Sequence, residues 1–267
     1  MTPAPAPPAP AARAAEAATL GLEGRVALVT GASRGLGRAV ARKLCASGCD
    51  VYLNYATNDT DAERAVESLR GLKGTAVAVK GDITRPDTLP ALLDRITDRH
   101  GRLDVFVHNA ASFHPMPTLS AAVADVHQDV AAAVDPLLHG AAHLAAAMAG
   151  GPGRIVAVSS LGAQAVVPRY VGLGLAKAAL ESLVRYLAVE LAPQGIAVNA
   201  VATAKLDKGE PAAVNPEAAR ALAARTPAGR LTRPEDLADA VALLCTDEAA
   251  WIHGQVITVD GGSRLRA

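Results

Sequence analysis

The 267-residue chain is 51% hydrophobic and 19% charged, enough to bury a large core, and an α/β chain of this size commonly forms one domain. Lysine plus arginine balance aspartate plus glutamate at 26 each, so no charge excess exists to hold a nucleic-acid backbone or an anionic membrane surface. Three cysteines, Cys45, Cys49 and Cys245, form no C-x-x-C pair, and with no secretory leader they suit small core positions in a reducing, cytoplasmic compartment.

Residues from Met1 to about Gly24 are mostly Ala and Pro, a composition that cannot offset its ordering entropy, and a disordered tail is expected there. No uninterrupted apolar run approaches the roughly 20 residues of a membrane helix. From Arg25 onward, short β-branched runs alternate with longer Ala/Leu-rich stretches. Strands are expected at Val26 to Thr30, Val51 to Asn54, Thr75 to Lys80, Val105 to His108, Ile155 to Ser159, Ala197 to Val201 and Gln255 to Val259. Their continuous hydrophobicity fits strands covered on both faces. Helices are expected at about Gly37 to Ser47, Asp59 to Leu72, Arg85 to His100, Ala121 to Ala149, Leu173 to Leu191 and Pro234 to Cys245, with Asp87, Glu235 and Asp236 supplying negative charge to first turns. This alternation predicts an α/β fold: a single Rossmann-type, doubly wound parallel sheet of about seven strands flanked by helices over residues 25–267. The Pro-, Gly- and Ala-rich stretch at about 203–230 breaks the pattern and is the candidate lid.

Directly after the first strand, Thr30-Gly31-Ala32-Ser33-Arg34-Gly35-Leu36-Gly37 opens into a helix. A pyrophosphate needs close backbone approach and a helix N-terminus, so Gly31, Gly35 and Gly37 point to a dinucleotide. Here the chain resembles the short-chain dehydrogenase/reductase family, whose T-G-x-x-x-G-x-G turn it reproduces, and the resemblance runs from about Gly24 to Gly262. It implies that Gly31, Ser33, Arg34, Gly35, Leu36 and Gly37 hold the cofactor, with Asn54, Tyr55 and Ala56 at the end of the second strand. No carboxylate stands at that strand end to repel a 2′-phosphate, and Arg34 can pair with one, so NADPH is the expected cofactor. The resemblance adds Asp82 and Ile83 near the adenine, Asn109 and Ala110 after the fourth strand, and Thr203 after the sixth. Asp82 equally fits a turn or helix-capping role.

Tyr170 and Lys177 are separated by six residues in Tyr170-Val171-Gly172-Leu173-Gly174-Leu175-Ala176-Lys177. In the family the shorter Y-x-x-x-K interval is common among ketoreductases, whereas the longer spacing is similar to that of enoyl-acyl-carrier-protein reductases. Ser160-Leu161-Gly162-Ala163-Gln164 and Arg185-Tyr186-Leu187-Ala188-Val189-Glu190-Leu191 resemble those enzymes too. The resemblance implies a phenol, Tyr170, that meets negative charge on a substrate oxygen, an ammonium, Lys177, that favours its ionised form and fixes the nicotinamide ribose, and a serine, Ser160 in preference to Ser159, that helps bind the carbonyl.

Three places depart from the family pattern. Ala133 stands where an asparagine commonly helps relay protons to the lysine. His108-Asn109-Ala110-Ala111 replaces the frequent N-N-A-G, with Asn109 expected to bridge neighbouring backbone and His108 open to a chemical role or to local hydrogen bonding. Ala202-Thr203-Ala204-Lys205-Leu206-Asp207-Lys208 replaces a segment whose threonine meets the nicotinamide, leaving Thr203 as its substitute and Lys205 and Lys208 as solvated lid residues or contacts for an acidic carrier or an anionic substrate. Three functions compete: NADPH-dependent reduction of an enoyl thioester, with an acyl carrier protein as a candidate partner; carbonyl reduction in fatty-acid, polyketide or other secondary metabolism; and nucleotide binding with a non-redox or regulatory role. The family resemblance further implies a homotetramer or homodimer, built through the long helices and the last strand.

Overall fold

A computed structural model describes residues 20–207 and 216–265. Seven strands form one parallel sheet in the order β3-β2-β1-β4-β5-β6-β7: β1 (Val26–Val29), β2 (Asp50–Tyr55), β3 (Ala76–Lys80), β4 (Val105–His108), β5 (Gly153–Val158), β6 (Ile196–Ala202) and β7 (Val256–Thr258). Strand order reverses between β1 and β4, opening a crevice at the carboxyl ends of the strands where open α/β sheets take their ligands.

Successive strand residues face opposite layers, which explains the unbroken hydrophobicity of these runs. Val26 and Leu28 of β1, with Phe106 of β4, enter one core beneath α3 (Thr88–His100), α4 (Val123–Ala147) and α5 (Val171–Leu191). Ala27, Val29, Val105 and Val107 enter the other, beneath α1 (Gly35–Ala46), α2 (Asp59–Glu67) and α7 (Pro234–Leu244). By length and composition α4 passes for a membrane span, yet it packs against both α3 and α5 and buries Asp129 and Pro136 within the domain.

Several expected boundaries move for local reasons. Leu22 is fully buried in the second core, and its carbonyl accepts the Cys49 thiol, while the Gly24 amide donates to Gly48 O at 3.0 Å. The expected tail boundary at Gly24 is therefore too late: residues 20–24 belong to the domain, and the rest of the expected tail lies outside the described residues. α3 starts at Thr88 rather than Arg85, because Asp82, Arg85 and Thr88 close successive turns before it. Asp87 occupies the N-cap position of α3 without a side-chain capping bond, whereas Asp236 realises its expected role, accepting the Arg233 amide at 2.8 Å and pairing with Arg230. Within the expected lid, α6 (Pro216–Arg225) is a helix that the Ala-rich composition concealed, and Leu206 is bridged to Thr232 at the lid's base; Lys208 lies outside the described residues.

Candidate active site

The crevice at the strand ends encloses about 1500 Å³, and every residue singled out from the sequence as catalytic or cofactor-binding lines it. At its floor Gly31 takes φ 63°, and a Cβ there would come within 3.1 Å of Ala110 Cα. A Cβ on Gly37 would run into the Gly31 carbonyl oxygen. Gly35, at φ 54°, faces open space instead, and α1 begins there with no capping side chain and no acid in its first turn. A glycine cradle over an uncapped helix N-terminus fits a dinucleotide pyrophosphate. Ser33 and Leu36 flank it, and Arg34, Arg38 and Arg42 follow at one-turn intervals along the cleft wall.

The strand-end residues divide by what their side chains already do. Asn54 is buried, its amide donating to Gly81 O at 2.9 Å, so its side chain ties β2 to the loop after β3. The Tyr55 hydroxyl donates to Asp59 Oδ1 at 2.8 Å, beside the Lys80 ammonium. Asp82 accepts the Thr84 amide and hydroxyl, so it closes a turn while lining the cleft with Ala56 and Ile83. The Asn109 amide donates to Thr30 O at 3.0 Å and Gly31 O at 3.1 Å, bridging backbone as its sequence position implied. Ala110 donates its amide to Thr30 Oγ1, and Thr203 is spent on Val259 O.

His108 is completely buried, with Nε2 at 3.0 Å from Ala133 O and Nδ1 at 3.4 Å from Thr30 Oγ1. The carbonyl can only accept, so Nε2 carries the proton and Nδ1 takes the threonine hydroxyl. Burial, with the Lys177 charge, pushes the imidazole down to about 4. His108 is thus a neutral strut between the glycine turn and α4, at the position where alanine replaces the family's asparagine.

Tyr170 stands at the N-cap of α5, its hydroxyl 3.2 Å from Ser160 Oγ. Its ring lies where a Cβ on Gly162 would come within 2.5 Å, with the Phe113 ring at 5.2 Å. Burial raises the phenol above its ordinary value, the Ser160 bond lowers it, and the Asp129 charge raises it. Lys177, two helical turns along α5, is 4% exposed and donates to Val158 O at 2.7 Å; burial pushes its ammonium down to about 8. Burial is thus the largest influence on the Tyr170 phenol, and the Lys177 ammonium is anchored to backbone at the end of β5. The two adjacent serines separate cleanly. Ser159 donates to the buried Glu181 at 2.6 Å, leaving Ser160 facing Tyr170.

Glu181 lies one turn after Lys177 on the same face of α5, and that spacing is the one signal of it in the sequence. It also accepts from Gln164 at 3.1 Å. Asp129 and His114, brought together by the fold behind Tyr170, carried no comparable signal. Among the described residues no group of His, Cys, Asp and Glu is arranged to hold a metal ion.

Strand order, glycine cradle and the Tyr170–Lys177 pair define a nicotinamide-dependent oxidoreductase fold, and comparison with known proteins agrees. A family model described as enoyl-(acyl carrier protein) reductase matches residues 31–264. The chain belongs to the short-chain dehydrogenase/reductase family. It is 38% identical over 253 residues to 1-cyclohexenylcarbonyl-CoA reductase of Streptomyces collinus, covering 91% of this chain and 88% of that protein. It is 34% identical to 3-oxoacyl-[acyl-carrier-protein] reductase FabG of Vibrio cholerae, covering 91% and 98%. A solved structure of 7 alpha-hydroxysteroid dehydrogenase, complexed with NADH and 7-oxo glycochenodeoxycholic acid, superposes with a TM-score of 0.85 at 31% identity, over 91% of this chain and 96% of that one.

Proposed function

We propose that the protein reduces the carbon–carbon double bond of an enoyl thioester with NADPH. One observation carries this reading: the position four residues before Lys177 is Leu173, buried in the core, and the phenol comes instead from Tyr170, whose hydroxyl faces Ser160 in the cleft. This is the longer spacing shared with enoyl reductases of the family, and the similarity to a cyclohexenylcarbonyl-CoA reductase supports the same substrate class.

Gly31, Gly35 and the start of α1 would hold the pyrophosphate, and Arg34 and Arg38 offer cationic partners for a 2′-phosphate. When bound, the nicotinamide supplies a hydride to the substrate β-carbon. Tyr170 and Ser160 then donate to the thioester oxygen, where enolate charge collects; removing one such donor typically costs about 10²- to 10³-fold in rate. The Lys177 ammonium would hold the nicotinamide ribose and keep positive charge behind the phenol. A proton taken up from solvent at the α-carbon completes the reduction. The carrier is a coenzyme thioester or an acyl carrier protein, with exposed Lys205 at the cleft margin for the latter's acidic surface. Exposed Leu138, Tyr186 and Val189 on α4 and α5 support assembly as a dimer or tetramer, and three free buried thiols suit the cytoplasm.

Reduction of a ketone is the second reading, favoured by the 3.2 Å Tyr170–Ser160 pair, which suits a ketone oxygen equally well. The test is loss of nicotinamide absorbance with crotonyl thioester under NADPH or NADH. The proposal expects turnover with NADPH, its loss in Tyr170→Phe, and a preference for NADPH that Arg34→Glu reverses. No turnover of enoyl thioesters would contradict it.

A further inference from the structure

Tyr170 must present one oxygen to the substrate, and what holds it from behind lies on a different helix. Asp129 of α4 is completely buried. Its Oδ2 accepts the His114 amide at 3.2 Å and its Oδ1 meets His114 Nδ1 at 2.8 Å. The same Oδ2 lies against the first turn of α5: a Cβ on Gly172 would come within 2.5 Å of it.

His114 belongs to the segment that grips Tyr170. The Phe113 ring packs on the Tyr170 ring, Met116 is bridged to Tyr170 in parallel, and the Met116 amide donates to Arg169 O at 3.1 Å. The Arg169 guanidinium returns a bond to Pro115 O at 3.2 Å. Among the described residues Arg169 is the one non-glycine in the left-handed region, at φ 59°. Such a conformation persists only where its surroundings impose it. A fully buried carboxylate is also costly unless paired, and an apolar side chain would fill the same space without that cost.

We infer that the Asp129–His114 pair is the positioning device of Tyr170, clamping residues 113–116 against the strained 169–172 turn so that the phenol stays on Ser160. The inference rests on the enoyl-reductase reading for what Tyr170 does, but the clamp can be observed without substrate. The chain has four tyrosines, so 3-fluorotyrosine labelling of the full protein gives few fluorine resonances, and Tyr170→Phe identifies the one of interest. Asp129→Leu is expected to displace and broaden that resonance alone, and to lower kcat on crotonyl thioester by about 10- to 100-fold with NADPH affinity unchanged. Asp129→Asn, which keeps one acceptor for His114, falls between. His114→Gln, at a partly exposed position that the fold tolerates, reproduces the displacement if Asp129→Leu fails to fold. An unmoved resonance in these variants overturns the inference, as does a kcat loss matched by equal losses of NADPH affinity and melting temperature. A protein silent toward enoyl thioesters whose Tyr170 resonance still moves would overturn the proposed reaction and leave the clamp standing.

Discussion

Replacing Lys177 by methionine should stabilise the protein while removing its activity. The ammonium is 4% exposed with a single backbone acceptor, Val158 O, and burial pushes it from 10.5 down to about 8. At about 1.4 kcal/mol per pH unit, the folded state carries a cost of about 3 kcal/mol at neutral pH. Methionine keeps the apolar stem, and the Val158 carbonyl left without its donor returns about 1–3 kcal/mol of that gain. The net expectation is about 1 kcal/mol of stabilisation, a rise of roughly 2–4 °C in Tm. The sign of the pH dependence follows from the lowered value. The folded lysine releases its proton from about 8 and the unfolded lysine only near 10.5, so wild-type stability gains relative to the variant across that window. The Lys177→Met advantage is therefore full below about pH 8, gone by about pH 9, and reversed to a deficit of about 2 kcal/mol near pH 10.5. Cys49 and Cys245, pushed up to about 12 by burial, lose stability above the unfolded thiol range in both proteins and cancel in the difference. Urea unfolding followed by circular dichroism across this range measures it. A variant less stable at neutral pH, or a gain that does not shrink as pH rises, would refute the reasoning.

The two neighbouring serines should separate by assay. Ser160→Ala removes the hydroxyl facing Tyr170 and the acceptor of the Gly162 amide, and is expected to lower kcat by about 10²-fold at a stability cost of only about 1 kcal/mol. Ser159→Ala leaves Glu181 with one donor fewer and should cost about 1–3 kcal/mol in urea unfolding while sparing kcat. Leu22→Ala, in a segment whose composition suggests a tail, should cost about 2–5 kcal/mol by the same unfolding measurement, because its side chain is fully buried.

The strands were legible because each is covered on both faces and so forms an unbroken apolar run, and the cofactor turn because a helix start beneath a phosphate tolerates only certain residues. Leu22 was not: one core residue inside an Ala/Pro-rich stretch leaves no periodic trace. The start of α3 slipped because successive turns through Arg85 resemble helix until their bonds are known. Asn54 and Tyr55 line the cleft as expected, yet their polar atoms are engaged: β2–β3 register brings Asn54 to Gly81, and the turn into α2 brings Asp59 back to Tyr55. The Asp129–His114 contact joins a loop to a helix across fifteen positions, and only the folded geometry turns an ordinary aspartate into a buried support.

The most direct test of the central reading is competition in one vessel: equimolar crotonyl and acetoacetyl thioesters, NADPH, and product masses followed from the first turnovers. Butyryl thioester is the expected dominant product, and Tyr170→Phe is expected to yield neither product. Preferential formation of the 3-hydroxybutyryl thioester would contradict it and assign the cleft to ketone reduction.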